Sequence, residues 1–147
     1  MKHSKLVCIG LGHVGSYVLT YAMESGLFAE IATIDAAPGV AHGEALDQSQ
    51  STGVPGTDYV NVHAGDYSDC ADADMIIVAA GASILPDPDD PDSRPDRAGL
   101  AKLSGEVVRD VMPGIVKHTR DAIAVSYTHL TLPTIHVECR SRWSPYH

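Results

Sequence analysis

No stretch of this 147-residue chain is long and apolar enough to span a bilayer: the best candidate, Met75 to Leu85, is interrupted by Gly81 and Ser83 and falls short of the roughly 20 apolar residues a membrane helix needs. The N-terminus, Met1-Lys2-His3-Ser4-Lys5, runs straight into a β-branched strand pattern without an apolar leader or a small-residue cleavage site, so a cytoplasmic protein without a membrane segment is expected. Positive charge is also scarce. Ten Lys and Arg stand against nineteen Asp and Glu, a net charge of −9, and nucleic acid is not an expected partner because little would gather phosphates by counterion release. Cysteine is sparse too. Cys8, Cys70 and Cys139, spaced 62 and 69 residues apart, fit neither a zinc pattern nor a disulfide framework, and read as packing or surface thiols of a reducing compartment. The chain does have 44% apolar residues, normal for one globular core, and the length of one domain or of half a two-domain enzyme.

The apolar residues are arranged as alternating strands and helices. Leu6-Val7-Cys8-Ile9 has the continuous apolar character of a parallel strand covered on both faces. From Val14 to Ser25, Val14, Val18, Leu19, Ala22 and Met23 recur at helical spacing, and Gly26 is placed to end the helix. Ile31 to Asp35 reads as a second strand, which makes a right-handed strand-helix-strand crossover. A weaker helix over Ala41–Gln50, a third strand over Tyr59–His63 and a clearer fourth over Met75–Ala80 follow. Pro86 to Pro95 holds four prolines and four acidic residues and reads as an exposed loop. Arg97–His118 is the next helix, with Leu100, Leu103, Val107, Val108, Val111, Ile115 and Val116 on its apolar side, and Ala122–Val125 begins a fifth strand. The expected fold is an α/β doubly wound parallel sheet of the Rossmann type, truncated, with strand order 3-2-1-4 and a partial fifth strand.

Between the first strand and the first helix stands Gly10-Leu11-Gly12-His13-Val14-Gly15, and the acidic Asp35 ends the second strand twenty residues after Gly15. That combination is the fingerprint of a dinucleotide site. Gly10 permits the tight turn, Gly12 lets backbone approach a pyrophosphate, and Gly15 lets the helix pack on the strand. The helix start at His13 and Val14 supplies N–H groups and partial positive charge for phosphates. Asp35 can accept hydrogen bonds from both ribose hydroxyls and repels a 2′-phosphate, which favours NAD over NADP. Two other readings stay open on these residues: a mere tight strand-to-helix joint, and an S-adenosylmethionine methyltransferase with a similar acidic strand end.

Lys5 to Ser16, Ile34-Asp35, Gly43-Glu-Ala-Leu-Asp47 and Ala71 to Gly81 together resemble, in order and spacing, the N-terminal half of the lactate/malate dehydrogenase family. The resemblance covers residues 5 to about 125. It implies an NAD-dependent oxidoreductase that moves a hydride between nicotinamide and C2 of a small 2-hydroxy or 2-oxo acid, working as a homo-oligomer. It also implies that Ala79, Ala80 and Gly81 line the adenine and ribose pocket. Arg97, in Asp96-Arg97-Ala98-Gly99-Leu100, matches the catalytic arginine that polarises the substrate carbonyl, a role suited to a planar, permanently charged guanidinium.

The loop from Ser83 to Asp96 is longer and more acidic than the family's usual versions. After Gly81 no Arg occurs before Arg94 to grip a second carboxylate, so lactate or another monocarboxylic acid is favoured over malate. The Asp cluster lacks the glycine and glutamate an EF-hand would place after Asp87, and reads as a solvated lid with no metal. His13 lies on the glycine loop surface, with phosphate contact as its other reading, and His118 suits a helix C-terminus.

The family's second half would supply the catalytic His, its Asp partner and the Arg that clamps the carboxylate. After Ala124 this chain instead reads Val125-Ser-Tyr-Thr-His-Leu-Thr-Leu-Pro-Thr134, which resembles the translation of a transposase-type sequencing adapter, and Cys139 to His147 fits the next adapter block. The division expected is an incomplete NAD-binding domain at 1–124 and a non-native tail at 125–147, which holds the only Trp, three of the eight His and one acidic residue. His129, His136 and His147 are accordingly not candidates for a catalytic base. The chain alone is expected to be an inactive N-terminal fragment. Beside this stand a non-catalytic NAD-binding module and an NAD-requiring glycosidase of related fold.

Overall fold

The computed structural model describes residues 4–51, 59–81 and 97–126. The acidic loop over 83–96, Cys139 and the tail from 127 onward lie outside the described residues, as does the side chain of Leu100.

Five strands, β1 (Lys5–Ile9), β2 (Glu30–Ile34), β3 (Asn61–Ala64), β4 (Met75–Val78) and β5 (Ile123–Ser126), form one parallel sheet in the order β3-β2-β1-β4-β5. Helices α1 (His13–Glu24), α2 (Pro38–Ser51) and α3 (Arg97–His118) and a short 3-10 helix (Tyr67–Asp72) make the connections. Alternation along β1 divides the core. Leu6 and Cys8 pack with Leu19 and Met23 of α1 and with Ala41 and Ala45 of α2. Val7 and Ile9 face the other way, onto Cys70 and onto Val111 and Ile115 of α3. A side chain on every second residue reaches the same face, and apolar layers on both faces explain why β1 is apolar in succession. No helix among the described residues is long and apolar enough to cross a membrane.

The sheet order matches the sequence-based expectation, and the boundaries shift for local reasons. Helix α2 starts at Pro38 rather than Ala41, because proline at a first helical position supplies the required φ and gives up only an N–H that has no helical partner. Strand β4 stops at Val78, one hydrogen bond short of where its pairing ends: the Ala79 N–H still donates to the Ile9 carbonyl at 2.8 Å. On α3 the buried side is narrower than its apolar content suggests: Val111 and Ile115 are buried, whereas Leu103 and Val116 are exposed. Strand β5 reaches Ser126 through backbone pairing with Val78, and all four of its side chains are exposed.

Lys5, at the start of β1, is only 7% exposed. Its Nζ lies 2.8 Å from Asp72, 3.0 Å from Asp69 and 3.2 Å from Glu30. Asp69 is held in turn by a reciprocal cap of the 3-10 helix: Ser68 N–H donates to Asp66, and Asp66 N–H to Asp69. His63 of β3 completes the cluster, with Nε2 3.1 Å from Glu30 and Nδ1 3.2 Å from the Ala64 carbonyl. Only the doubly protonated imidazolium donates to both acceptors. Burial opposes that charge, but the Glu30 hydrogen bond, the Ala64 carbonyl and the charges of Asp69 and Glu30 outweigh it, so the pKa of His63 is raised. The hydrogen bond from His63, helped by Lys5, lowers that of Glu30.

Lys5→Met leaves Glu30, Asp69 and Asp72 crowded without their cation, and a loss of about 2 kcal/mol is expected in urea unfolding, below the figure for a fully buried pair because Asp72 is open to water. The pH dependence has a definite sign. A raised His63 stabilises fully below its ordinary value of 6.5 and less as pH rises through the folded value. A lowered Glu30 stabilises above 4.5 and less as pH falls through its folded value. The melting-temperature gap between the native chain and His63→Gln should therefore be widest between pH 4.5 and 6.5 and close as pH rises through the folded value of His63; a gap that stays the same from that window into alkaline pH would refute the charged pair.

Candidate functional site

At the carboxyl ends of β1, β2 and β4 the chain leaves a cleft of about 540 Å³. Its floor follows from glycine geometry. Gly10 has φ +88°, its N–H donates to Ile34 O at 2.8 Å, and any Cβ there would collide with the backbone of Ala80. A Cβ on Gly15 would overlap the carbonyl of Gly10, so α1 approaches the end of β1 more closely than an alanine permits. At Gly12 nothing lies within 4 Å of the Cβ position. The two packed glycines shape the turn, and the third leaves open space for something else to fill.

Helix α1 begins just after Gly12, and its first backbone hydrogen bond runs from Ser16 N–H to Gly12 O at 3.0 Å. Gly12 has no side chain to cap the N–H groups of the first turn, at His13, Val14 and Gly15, which therefore have no helical acceptors. This is the arrangement that attracts phosphate oxygens. His13 is exposed and lines the neighbouring groove with Ser16, Tyr17 and Glu44, while Gly15 is buried.

Asp35 stands just past the end of β2, against the glycine turn. Its Oδ2 accepts the Leu11 N–H at 2.8 Å and its Oδ1 the Ala37 N–H at 2.9 Å. Each oxygen keeps a free lone pair, so the carboxylate is fixed in orientation yet still able to accept from two adjacent hydroxyls. The sequence has no Lys or Arg between Lys5 and Arg94, so nothing beside Asp35 in sequence offsets its repulsion of a 2′-phosphate.

Gly10, Gly12 and Asp35, singled out by the glycine fingerprint, and Ala79, Ala80 and Gly81, singled out by the family resemblance, line one cleft. Val14 packs half-buried behind the turn. Arg97 opens α3 at the far end of the undescribed loop, and its side chain lies outside the described residues. Sequence reasoning did not find Tyr67, Val107, Asp110 and Val111, which also line the cleft. They come from the 3-10 helix and α3, and only the packing of α3 against the sheet brings them to the strand ends. The Asp66 and Asp69 cap was the one local signal for the turn that carries Tyr67.

An open glycine, a row of uncapped helix N–H groups and a carboxylate fixed by two backbone N–H groups, all at the carboxyl edge of a parallel sheet, define a dinucleotide-binding α/β domain. A family model described as lactate/malate dehydrogenase, NAD binding domain, matches residues 4–128. The chain belongs to the lactate/malate dehydrogenase family, and its cofactor is NAD. It is 40% identical over 126 residues to L-lactate dehydrogenase 2 of Clostridium acetobutylicum, covering 86% of this chain and 38% of that protein. Among solved structures, the ligand-bound minor L-lactate dehydrogenase of Enterococcus mundtii superposes with a TM-score of 0.76 at 26% identity, over 88% of this chain and 39% of that one. The malate dehydrogenase of Archaeoglobus fulgidus in complex with NADH gives 0.72 at 26% identity, over 85% and 40%. The chain therefore spans about two fifths of the length of the relatives it matches. Family membership replaces the methyltransferase reading.

The glycines separate into two experimental classes. Gly15→Ala should cost about 1–3 kcal/mol of stability through overpacking against Gly10 and weaken NAD as well. Gly12→Ala should change stability by less than about 1 kcal/mol yet weaken NAD at least about tenfold, because its methyl enters the open cleft. Paired melting curves and NAD titrations check both, and a Gly12→Ala protein that binds NAD normally would show that the cofactor does not use this turn.

Proposed function

We propose that this chain is the cofactor-binding part of an NAD-dependent 2-hydroxyacid dehydrogenase, with L-lactate favoured over malate as substrate. The observation that carries it is the cleft that Gly10 and Gly12 of the glycine turn line together with the locked Asp35 carboxylate. Bound NAD supplies the nicotinamide that takes up or returns the hydride. The N–H groups at the start of α1 hold the pyrophosphate, Asp35 holds the ribose hydroxyls, and Ala79 to Gly81 provide a wall without bulky side chains. Arg97, where α3 begins, stabilises negative charge on the substrate's C2 oxygen.

Lactate is favoured because the segment after Gly81 carries Asp87, Asp89, Asp90 and Asp92 and no cation before Arg94. Acidic side chains there repel the second carboxylate of malate. Malate dehydrogenases stand among the relatives as well, so malate is the alternative. The intact enzyme is read as a cytoplasmic homo-oligomer. The domain boundary falls at residue 124, with 125–147 a non-native tail. Pairing of Val125 and Ser126 with β4 is compatible with that boundary, since a parallel ladder uses backbone groups that any sequence supplies.

Calorimetric titration of the 147-residue chain should show NAD binding at least about tenfold tighter than NADP. Asp35→Ala should weaken NAD about tenfold to a hundredfold by removing charge-assisted hydrogen bonds, and should narrow the preference over NADP. The unmutated 147-residue chain should turn over neither lactate nor malate, and turnover of either would overturn the fragment reading. Resequencing the source DNA outward from the α3 codons tests the tail: a frame that continues into an Asn-Pro turn and a His-containing half supports the boundary, and a genomic tail removes it.

A further inference from the structure

The cleft has an inner wall that neither the glycine turn nor Asp35 accounts for. Beyond Ala79 and Ala80 it is built by Tyr67 and, on α3, by Val107, Asp110 and Val111. Tyr67 is set firmly. A Cβ on Gly114 would come within 2.7 Å of the ring carbons Cδ1 and Cε1, so the ring rests on the helix backbone where a side chain is missing. Val107, Asp110, Val111 and Gly114 recur at intervals of three and four residues and share one stripe of α3. The stripe places Asp110 one turn from the tyrosine ring. The phenol registers its surroundings: burial, and then the charges of Cys70 and Asp110, raise its pKa.

This inner wall has a flat aromatic surface, two valines and one carboxylate at its rim. On the reading of the cleft as an NAD site, the pyrophosphate and ribose are already assigned, and the wall remains for the base. A purine has apolar faces and a polar edge. Its faces suit Tyr67, Val107 and Val111, and its edge meets Asp110. An ionised carboxylate accepts hydrogen bonds and donates none, so it favours an edge that carries donors. Adenine offers an exocyclic amine, whereas hypoxanthine places a carbonyl oxygen at the same position.

We propose that Asp110 reads the exocyclic amine of the cofactor's adenine and so determines base specificity at this site. The inference rests on the NAD reading of the cleft, and the test separates the two. The 147-residue chain is titrated with NAD and with nicotinamide hypoxanthine dinucleotide, and heat of binding is the readout. NAD should bind about five- to tenfold more tightly, a modest factor because Asp110 is open to water. Asp110→Ala should remove the difference by weakening NAD while leaving the hypoxanthine form unchanged. Asp110→Asn, whose amide also donates, should move the preference toward hypoxanthine. Both substitutions are at an exposed helix position, so unchanged melting curves verify the fold. Equal affinity of the native chain for the two dinucleotides, or a preference that survives Asp110→Ala, overturns the role of Asp110 and leaves the NAD reading standing. Failure of both dinucleotides to bind overturns the NAD reading and this inference with it.

Discussion

Everything at the cofactor end of this domain depends on one close approach, that of helix α1 to the last residue of β1 and its turn. With Gly15 against the Gly10 carbonyl and Gly10 against the Ala80 backbone, three chain segments converge where side chains would hold them apart. The approach points the first-turn N–H groups across the strand ends, puts the Leu11 N–H where Asp35 can take it, and leaves Gly12 facing empty space. Van der Waals exclusion sets the geometry here. The electrostatics of helix terminus and carboxylate then act on a site already shaped.

The opposite end of the sheet is organised by charge. Lys5 is the only Lys or Arg from residue 5 to residue 93, and it is drawn inside by three carboxylates from β2 and the 3-10 helix. Glu30, His63 and Asp69 bring ligand-type atoms within 4.8 Å of one another, and the Lys5 ammonium neutralises that corner. The same contacts tie β3 and the 3-10 helix to β1, so the turn carrying Tyr67 is anchored at the far end of the molecule from the cleft that Tyr67 lines.

The fold was legible where the determinants are local. The apolar runs of β1 and β4, the periodicity of α1, the glycine turn and the acidic end of β2 are all signals within a few residues, and the structure puts Gly10, Gly12 and Asp35 in one cleft with Ala79 to Gly81, which the family resemblance had singled out. What was not legible depends on distant packing. A lysine opening a strand reads as a solvated charge until the acids around it are placed. Leu103 and Val116 have helical spacing, yet α3 turns only a narrow stripe toward the sheet, and they stay in solvent. Tyr67 and Asp110 belong to the site because Gly114 lets two segments more than forty residues apart in sequence lie against each other.

The strand order also has a consequence for how the chain reaches this state during synthesis. Strand β1 emerges first but ends in the middle of the sheet, flanked by β2 and, in the register Leu6 to Met75, by β4. A strand-helix-strand hairpin from the first 34 residues can assemble early, with one edge of β1 unpaired until Met75–Val78 leaves the ribosome. Parallel pairings across such separations fold slowly and leave hydrogen-bonding edges exposed in the meantime. The apolar face of Val7 and Ile9 stays open on the nascent chain until β4 and α3, whose Ile76, Val78, Val111 and Ile115 pack with it, have followed β2, α2 and β3.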